Sequence, residues 1–131
     1  MQHWLKAIGH ARGPLTDAWL QERPASLHRT GFPRRPRMEP GDRLVYYASV
    51  WRVVFAVVEV TEEPALTGRV GADRWPWTVG VEPLLLVPRL DAAPPVEAIG
   101  VPARSMSQQS HIRLSPEHFT RAVEALASVA L

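Results

Sequence analysis

The sequence predicts an α+β chain in which a small β-barrel of about five to six strands is flanked by helices. Three observations lead there. Thirteen prolines among 131 residues remove backbone donors and interrupt long helices, which favours short strands joined by irregular connections. Two dense runs of strand formers, Arg43 to Ser49 and Trp51 to Thr61, follow one turn signal. In the second run both alternating sets are apolar: Val54, Ala56, Val58 and Val60 against Trp51, Val53, Phe55 and Val57. That pattern describes a strand covered on both faces, as in a barrel with helices outside it. The length suits one domain over residues 1–131, and 46% hydrophobic with 21% charged residues is a globular composition, not a disordered one.

The elements follow in order. His3 to Ile8 is short and apolar-rich and runs into Gly9 and Gly13-Pro14, so it reads as a first strand ending in a turn. A short helix comes next, with Thr16 as its cap, Asp17 in its first turn, Leu15 and Leu20 at the spacing of a hydrophobic staple, and Pro24 closing it. From Pro24 to Pro40 periodicity disappears and Arg29, Arg34, Arg35 and Arg37 stand among prolines, which predicts a basic surface loop around Gly31-Phe32. Pro40-Gly41-Asp42 is the turn that launches the two central strands. Trp75, Trp77, Val79 and Val81 then alternate with more polar residues, and the strand continues through Leu84 to Val87. Asp91 to Pro102 is a Pro- and Ala-rich connector, and Ile112 with Leu114 marks a last strand. Ser115 caps a closing helix with Pro116 in its first position, and Phe119, Ala122, Val123, Leu126 and Ala130 share one face.

Cysteine is absent, which excludes disulfides, thiolate nucleophiles and cysteine-type zinc sites, and makes a reducing compartment the default. No apolar run approaches the ~18 residues of a membrane span and the start carries no leader pattern, so the expectation is a soluble cytoplasmic protein without a membrane partner. The net charge is +2, yet the first sixty residues hold nine basic and five acidic side chains against six and eight in the remainder. Fourteen of the fifteen basic residues are Arg, the side chain suited to bidentate phosphate contacts and also the product of a GC-rich gene.

The usual catalytic constellations are missing: no Walker loop, GxGxxG, GxSxG, HExxH or acidic calcium ladder occurs. The reading is therefore no enzyme, no catalytic residue and no cofactor. His3, His10, His28, His111 and His118 are scattered without metal-ligand spacing, so no metal is expected. Glu62-Glu63 before Pro64 reads as a solvated strand exit. What remains distinctive is five tryptophans with Tyr46 and Tyr47 beside an Arg-rich loop, the material for stacking a base and holding phosphates. Each of Trp4, Trp51, Trp75 and Trp77, taken singly, reads first as core filler and only second as a ligand contact.

The order of these fragments resembles the EVE family of the PUA-like superfold, relatives of the YTH readers of methylated adenine in RNA. The resemblance rests on Trp4-Leu5, Gly31-Phe32, Arg34-Arg35, Met38, Pro40-Gly41-Asp42, Leu44 and Tyr46-Tyr47, then on Phe55-Ala56, Val60-Thr61, Pro76-Trp77 and Gln108-Gln109-Ser110 ahead of Pro116-Glu117-His118-Phe119. It spans nearly the whole chain. Two departures stand out: Leu27 and His28 occupy the place where many relatives have a Trp, and the hairpin at Ser49-Val50 lacks the Gly often found there.

The resemblance implies a PUA-like barrel with a pocket for a flipped, modified base, and hence a nucleic-acid partner, DNA or RNA, with modified cytosine in DNA as the leading ligand. It implies Trp77 or Phe32 for stacking, Ser49, Gln108 and Ser110 for the base edge, Tyr47 as a wall or hydroxyl, and Arg34, Arg35 and Arg37 for phosphate. The alternatives are an RNA-binding module that reads backbone shape, a hydrolase like some related ASCH domains, and a protein-binding domain that kept the fold and lost the pocket.

Overall fold

The computed structural model describes residues 1–9 and 13–130. Its strands are β1 (His3–Ile8), β2 (Arg29–Phe32), β3 (Arg43–Ala48), β4 (Val53–Val60), β5 (Ala65–Leu66), β6 (Trp77–Leu86) and β7 (His111–Leu114), and its α-helices are α1 (Trp19–Glu22) and α2 (Pro116–Ala127). Short 3₁₀ turns occupy Pro24–Leu27, Leu90–Ala92, Val96–Ile99 and Ala103–Met106. The strands hydrogen-bond in the order β2-β6-β4-β3-β1-β7, with β5 beside β6. β1 runs parallel to β3 and the other pairings are antiparallel.

This mixed sheet curls into a half-barrel. Its end strands β2 and β7 share no ladder, but the Phe32 ring of β2 meets the His111 ring of β7 edge-on, 5.0 Å between centroids. The curl therefore closes through side chains, leaving a seam where backbone hydrogen bonds stop. Inside, Trp19 packs on Phe55 at 4.6 Å and donates its indole N–H to the Val87 carbonyl at 3.2 Å. β4 is buried from Val54 to Val58, the two-sided cover its sequence predicts, with α2 outside it.

Asp42 sets the register of the central strands. Its carboxylate, only 4% exposed, accepts from Gln2 N at 3.0 Å, Glu39 N at 3.1 Å and the Trp4 indole at 3.5 Å. Its backbone carbonyl accepts from Val60 N at 2.8 Å, and Arg43 N donates to the Gln2 carbonyl at 3.0 Å. One turn thus ties the start of β1, the start of β3 and the end of β4. Lys6 is thereby placed opposite Tyr46, and Ala7 opposite Tyr47; a one-residue slip would turn every β1 side chain to the other face.

Several expectations are corrected. The basic loop contains a strand: Arg29 to Phe32 pairs with β6, Phe32 opposite Trp77. The Thr16 cap does not form; α1 is a single turn beginning after Ala18 without a side-chain cap, and the Asp17 carboxylate instead accepts from Asp91 N at 3.2 Å. The second central strand begins at Val53, because Trp51 and Arg52 belong to the hairpin turn. Ser115 does cap α2, its hydroxyl oxygen accepting from His118 N at 3.1 Å.

The hairpin without glycine carries a backbone cost. Val50 has φ +74° and Arg52 φ +59°, the left-handed region in which a branched side chain is most strained. Val50 is 73% exposed, so its side chain returns little burial. Val50→Gly should stabilise the protein by about 0.5–1 kcal/mol and raise Tm by about 2–4 °C; a lower melting temperature would contradict this.

Candidate functional site

Two cavities, of about 440 and 320 Å³, open along the seam and share Lys6, Ala7 and Trp75 in their walls. They are two chambers of one cleft. The larger is bounded by the end of β1, the α1 segment at Glu22 and Arg23, Ser26, and Arg29 to Gly31 of β2. The smaller is bounded by Pro33, Arg74 and Gln108 to Ser110. The cleft thus lies where β1, β2 and the approach to β7 face one another without completing a ladder.

Trp75 is the aromatic wall. It precedes β6, remains partly exposed, and lies against Gly31, where an added Cβ would come within 2.9 Å of the Trp75 Cβ. Only glycine lets the indole sit there. The Arg74 guanidinium lies 5.9 Å from the Trp75 ring centre, within cation–π range. Gln108 is exposed with φ +59°, and Ser110 Oγ lies 2.7 Å from His111 Nδ1.

Two buried polar side chains line the cleft, Thr30 and Lys6; Lys6, the chain's single lysine, is 4% exposed and is the charged one. Its ammonium donates to the Ala7 carbonyl at 2.8 Å and lies 4.9 Å from the centre of the Phe32 ring. Among the described residues it has no carboxylate partner. Burial pushes the Lys6 amine down to about 7 because the charged form is poorly solvated. His111, in register opposite Lys6 on β7, is pushed down to about 4 by burial and then by the neighbouring lysine charge. Tyr46 extends toward the same cleft, its hydroxyl donating to the Ser26 carbonyl at 2.5 Å, and burial raises its pKa.

The structure brings together only some of the residues singled out by sequence. Gln108 and Ser110 line the smaller chamber. Phe32 is fully buried beneath it, in contact with Lys6 and His111, so its faces are already occupied. Trp77 lines neither chamber; Arg35 covers its ring at 5.4 Å. Tyr47 alternates with Tyr46 and faces the opposite side, with Arg52 and Glu97 as its charged neighbours, while burial raises its pKa. Ser49 is 8% exposed at the hairpin and absent from both chamber walls. Arg34, Arg35 and Arg37 are exposed and, among the described residues, without an ion pair. They follow Pro33, which lines the smaller chamber, but line neither chamber themselves. Among the described residues no three His, Cys, Asp or Glu converge as a metal site; His10 lies outside them. No described helix is long and apolar enough to cross a membrane.

Of the chamber-lining residues, Lys6, Arg23 and Arg74 were not singled out by sequence, Trp75 was weighed mainly as core, and Arg29 was placed only in the basic loop. Lys6 was findable: it shares the strand alternation with Trp4 and Ile8 and must point where they point. Its folded pKa lies below its unfolded value near 10.4, so between about pH 7 and 10 the unfolded chain binds more protons. Stability should therefore rise with pH across that window, by up to about 1.4 kcal/mol per pH unit, and the gain is lost as pH falls to about 7. Lys6→Met should be more stable than the parent at pH 7 and lack this slope. Denaturant titrations of both proteins at several pH values check it; equal slopes would contradict it.

No protein-family model matches the sequence, and no curated protein matches it significantly. Solved structures do match the fold. Protein Atu2648 from Agrobacterium tumefaciens superposes with TM-score 0.62 at 14% identity, over 98% of this chain and 92% of that one. Human THYN1 in complex with DNA containing 5-methylcytosine gives TM-score 0.55 at 14% identity, covering 95% and 96%. An ASCH protein variant from Zymomonas mobilis gives 0.53 at 13% identity over the full length of both chains. The chain has the PUA-like fold of the EVE and ASCH domains.

Proposed function

We propose that this protein is a nucleic-acid-binding module that holds a flipped, modified base in the seam cleft, with modified cytosine in DNA as the leading ligand, and that it binds without catalysing a reaction. The observation that carries this reading is the partly exposed Trp75, seated on Gly31 between two chambers, with Gln108 and Ser110 beside it. An extruded base needs a stacking surface and neutral hydrogen-bonding groups for its edge. Arg23 and Arg74 in the chamber walls, and the exposed Arg34, Arg35 and Arg37 that follow Pro33 in the chain, suit the flanking phosphates, whereas Arg29 already pairs with Glu62 at 2.7 Å. THYN1, which shares the fold, was solved with 5-methylcytosine DNA, and this supports the choice of base.

One observation favours a second reading, hydrolysis in the same cleft: the 2.7 Å contact between Ser110 Oγ and His111 Nδ1 beside Lys6. No carboxylate orients that pair among the described residues, and binding remains the reading we adopt. Product formation from an acylated or alkylated nucleoside would reverse that choice.

Two experiments test the proposal. Trp75→Ala should lower affinity for a short oligonucleotide carrying one 5-methylcytosine by about tenfold or more while Tm stays within a few degrees, and the parent protein should prefer 5-methylcytosine over cytosine. Unchanged affinity in the variant would remove Trp75 from the site. Replacing Arg34, Arg35 and Arg37 together by Ala should flatten the log–log salt dependence of binding by about 2 on single strands and 3 on duplex; an unchanged slope would take that segment off the interface.

A further inference from the structure

We propose that Lys6 selects the ligand of the cleft, admitting bases that present an oxo oxygen beside a second acceptor, as cytosine and guanine types do, and disfavouring adenine and uracil types. The inference rests on the reading of the cleft as a base pocket and specifies which bases it takes.

A lysine ammonium carries three donors. Lys6 uses one on the Ala7 carbonyl, and no other protein acceptor meets it among the described residues. A nearly enclosed ammonium with unanswered donors is costly. Its surroundings do not supply the answer. Phe32 offers a ring face, the facing His111 is engaged with Ser110, and the Tyr46 hydroxyl donates to Ser26. The other charged groups lining the chambers are Glu22, Arg23, Arg29 and Arg74; Glu22, the acid among them, is exposed, and Glu62, also exposed, is paired with Arg29. Because Lys6 forms part of both chamber walls, a bound ligand is what can reach it.

Two free donors are best met by two neighbouring acceptors. Guanine offers O6 beside N7, and cytosine offers O2 beside N3. Adenine places its amino donor next to each of N1 and N7, so one N–H would point at another N–H. Each unmatched group costs about tenfold or more in affinity.

Proton linkage supplies a readout independent of mutation. Free Lys6 sits at about 7 because of burial, and an acceptor held against it favours the ammonium and raises that value. Binding above pH 7 should therefore take up a proton, and affinity should fall as pH rises above 7. His111, pushed down to about 4, stays neutral throughout this window.

The experiment is isothermal titration calorimetry of the intact chain at pH 6.5 and 8 (roughly either side of the free Lys6 value). The ligands are single-stranded oligonucleotides identical except for a central 5-methylcytosine, cytosine, uracil, adenine or abasic site, with inorganic phosphate as a separate ligand. The expected result is cytosine types at least tenfold tighter than adenine and than uracil, whose N3–H lies beside both of its oxo groups. It includes uptake of about half to one proton at pH 8, seen as heats that vary with buffer, and loss of both effects in Lys6→Met. Base-dependent binding with adenine equal to cytosine, or no proton uptake at pH 8, would overturn the role of Lys6 and leave the cleft reading intact. The same uptake from the abasic strand or from inorganic phosphate would show that the oxygen comes from phosphate, and overturns it too. An abasic strand that binds as tightly as every base-bearing one would defeat the base-pocket reading itself. Should Lys6→Met fail to melt cooperatively, the parent protein's base preference and proton uptake decide the matter alone.

Discussion

The barrel of this protein stops one ladder short of closure, and the arrangement of the cleft follows from that. β2 is four residues long and ends at Pro33, which has no N–H to extend pairing. β7, at the other end of the sheet, is equally short. Unable to hydrogen-bond, the two edges meet through Phe32 and His111. A seam joined by side chains leaves room on either side of the contact, and the two chambers occupy it. The same incomplete closure brings polar groups together at a place with little protein to satisfy them.

Which polar groups arrive there is decided at the far end of the sheet. Asp42 clasps the starts of β1 and β3, and the parallel register that results aims Trp4, Lys6 and Ile8 inward beside Leu44, Tyr46 and Ala48. Lys6 is therefore buried by register, not by local preference. The energetic consequence is an amine that loses its charge near neutrality unless a ligand supplies an acceptor. Stability given up at this position is the usual signature of a group kept for binding or chemistry.

Much of the frame was legible because it rests on period and caps. Residues 3 to 8, 43 to 48 and 53 to 60 show strand patterns strong enough to survive their surroundings, and the Ser115-Pro116 start of α2 is a local signal with a local cause. β2 was not legible: Arg-Thr-Gly-Phe has no alternation of its own and becomes a strand because β6 offers it an edge. The site divides in the same way. Gln108 and Ser110, which the resemblance names, line the smaller chamber, whereas Trp77 lines neither and Trp75 lines both. Alternation puts both indoles on one face, whereas Pro76 separates Trp75 from the strand and frees it to lie over Gly31. Tyr47 lies outside both chamber walls for a related reason: a Tyr pair in a strand divides between two faces, and sequence alone does not say which one meets the cleft.

The central claim, that a base enters the seam and stacks at Trp75, is tested most directly by the indole ¹⁵N–H resonances of the five tryptophans during titration with an oligonucleotide containing 5-methylcytosine. The indoles of Trp4, Trp19 and Trp51 are tied to Asp42, Val87 and Leu15 and should hold their positions. Trp75 should move more than any other indole, and should stay in place when the same strand lacks that base. A protein that binds the strand while Trp75 remains still, with shifts confined to Trp77 and the neighbouring arginines, would contradict the account and place the nucleic acid on the outer surface.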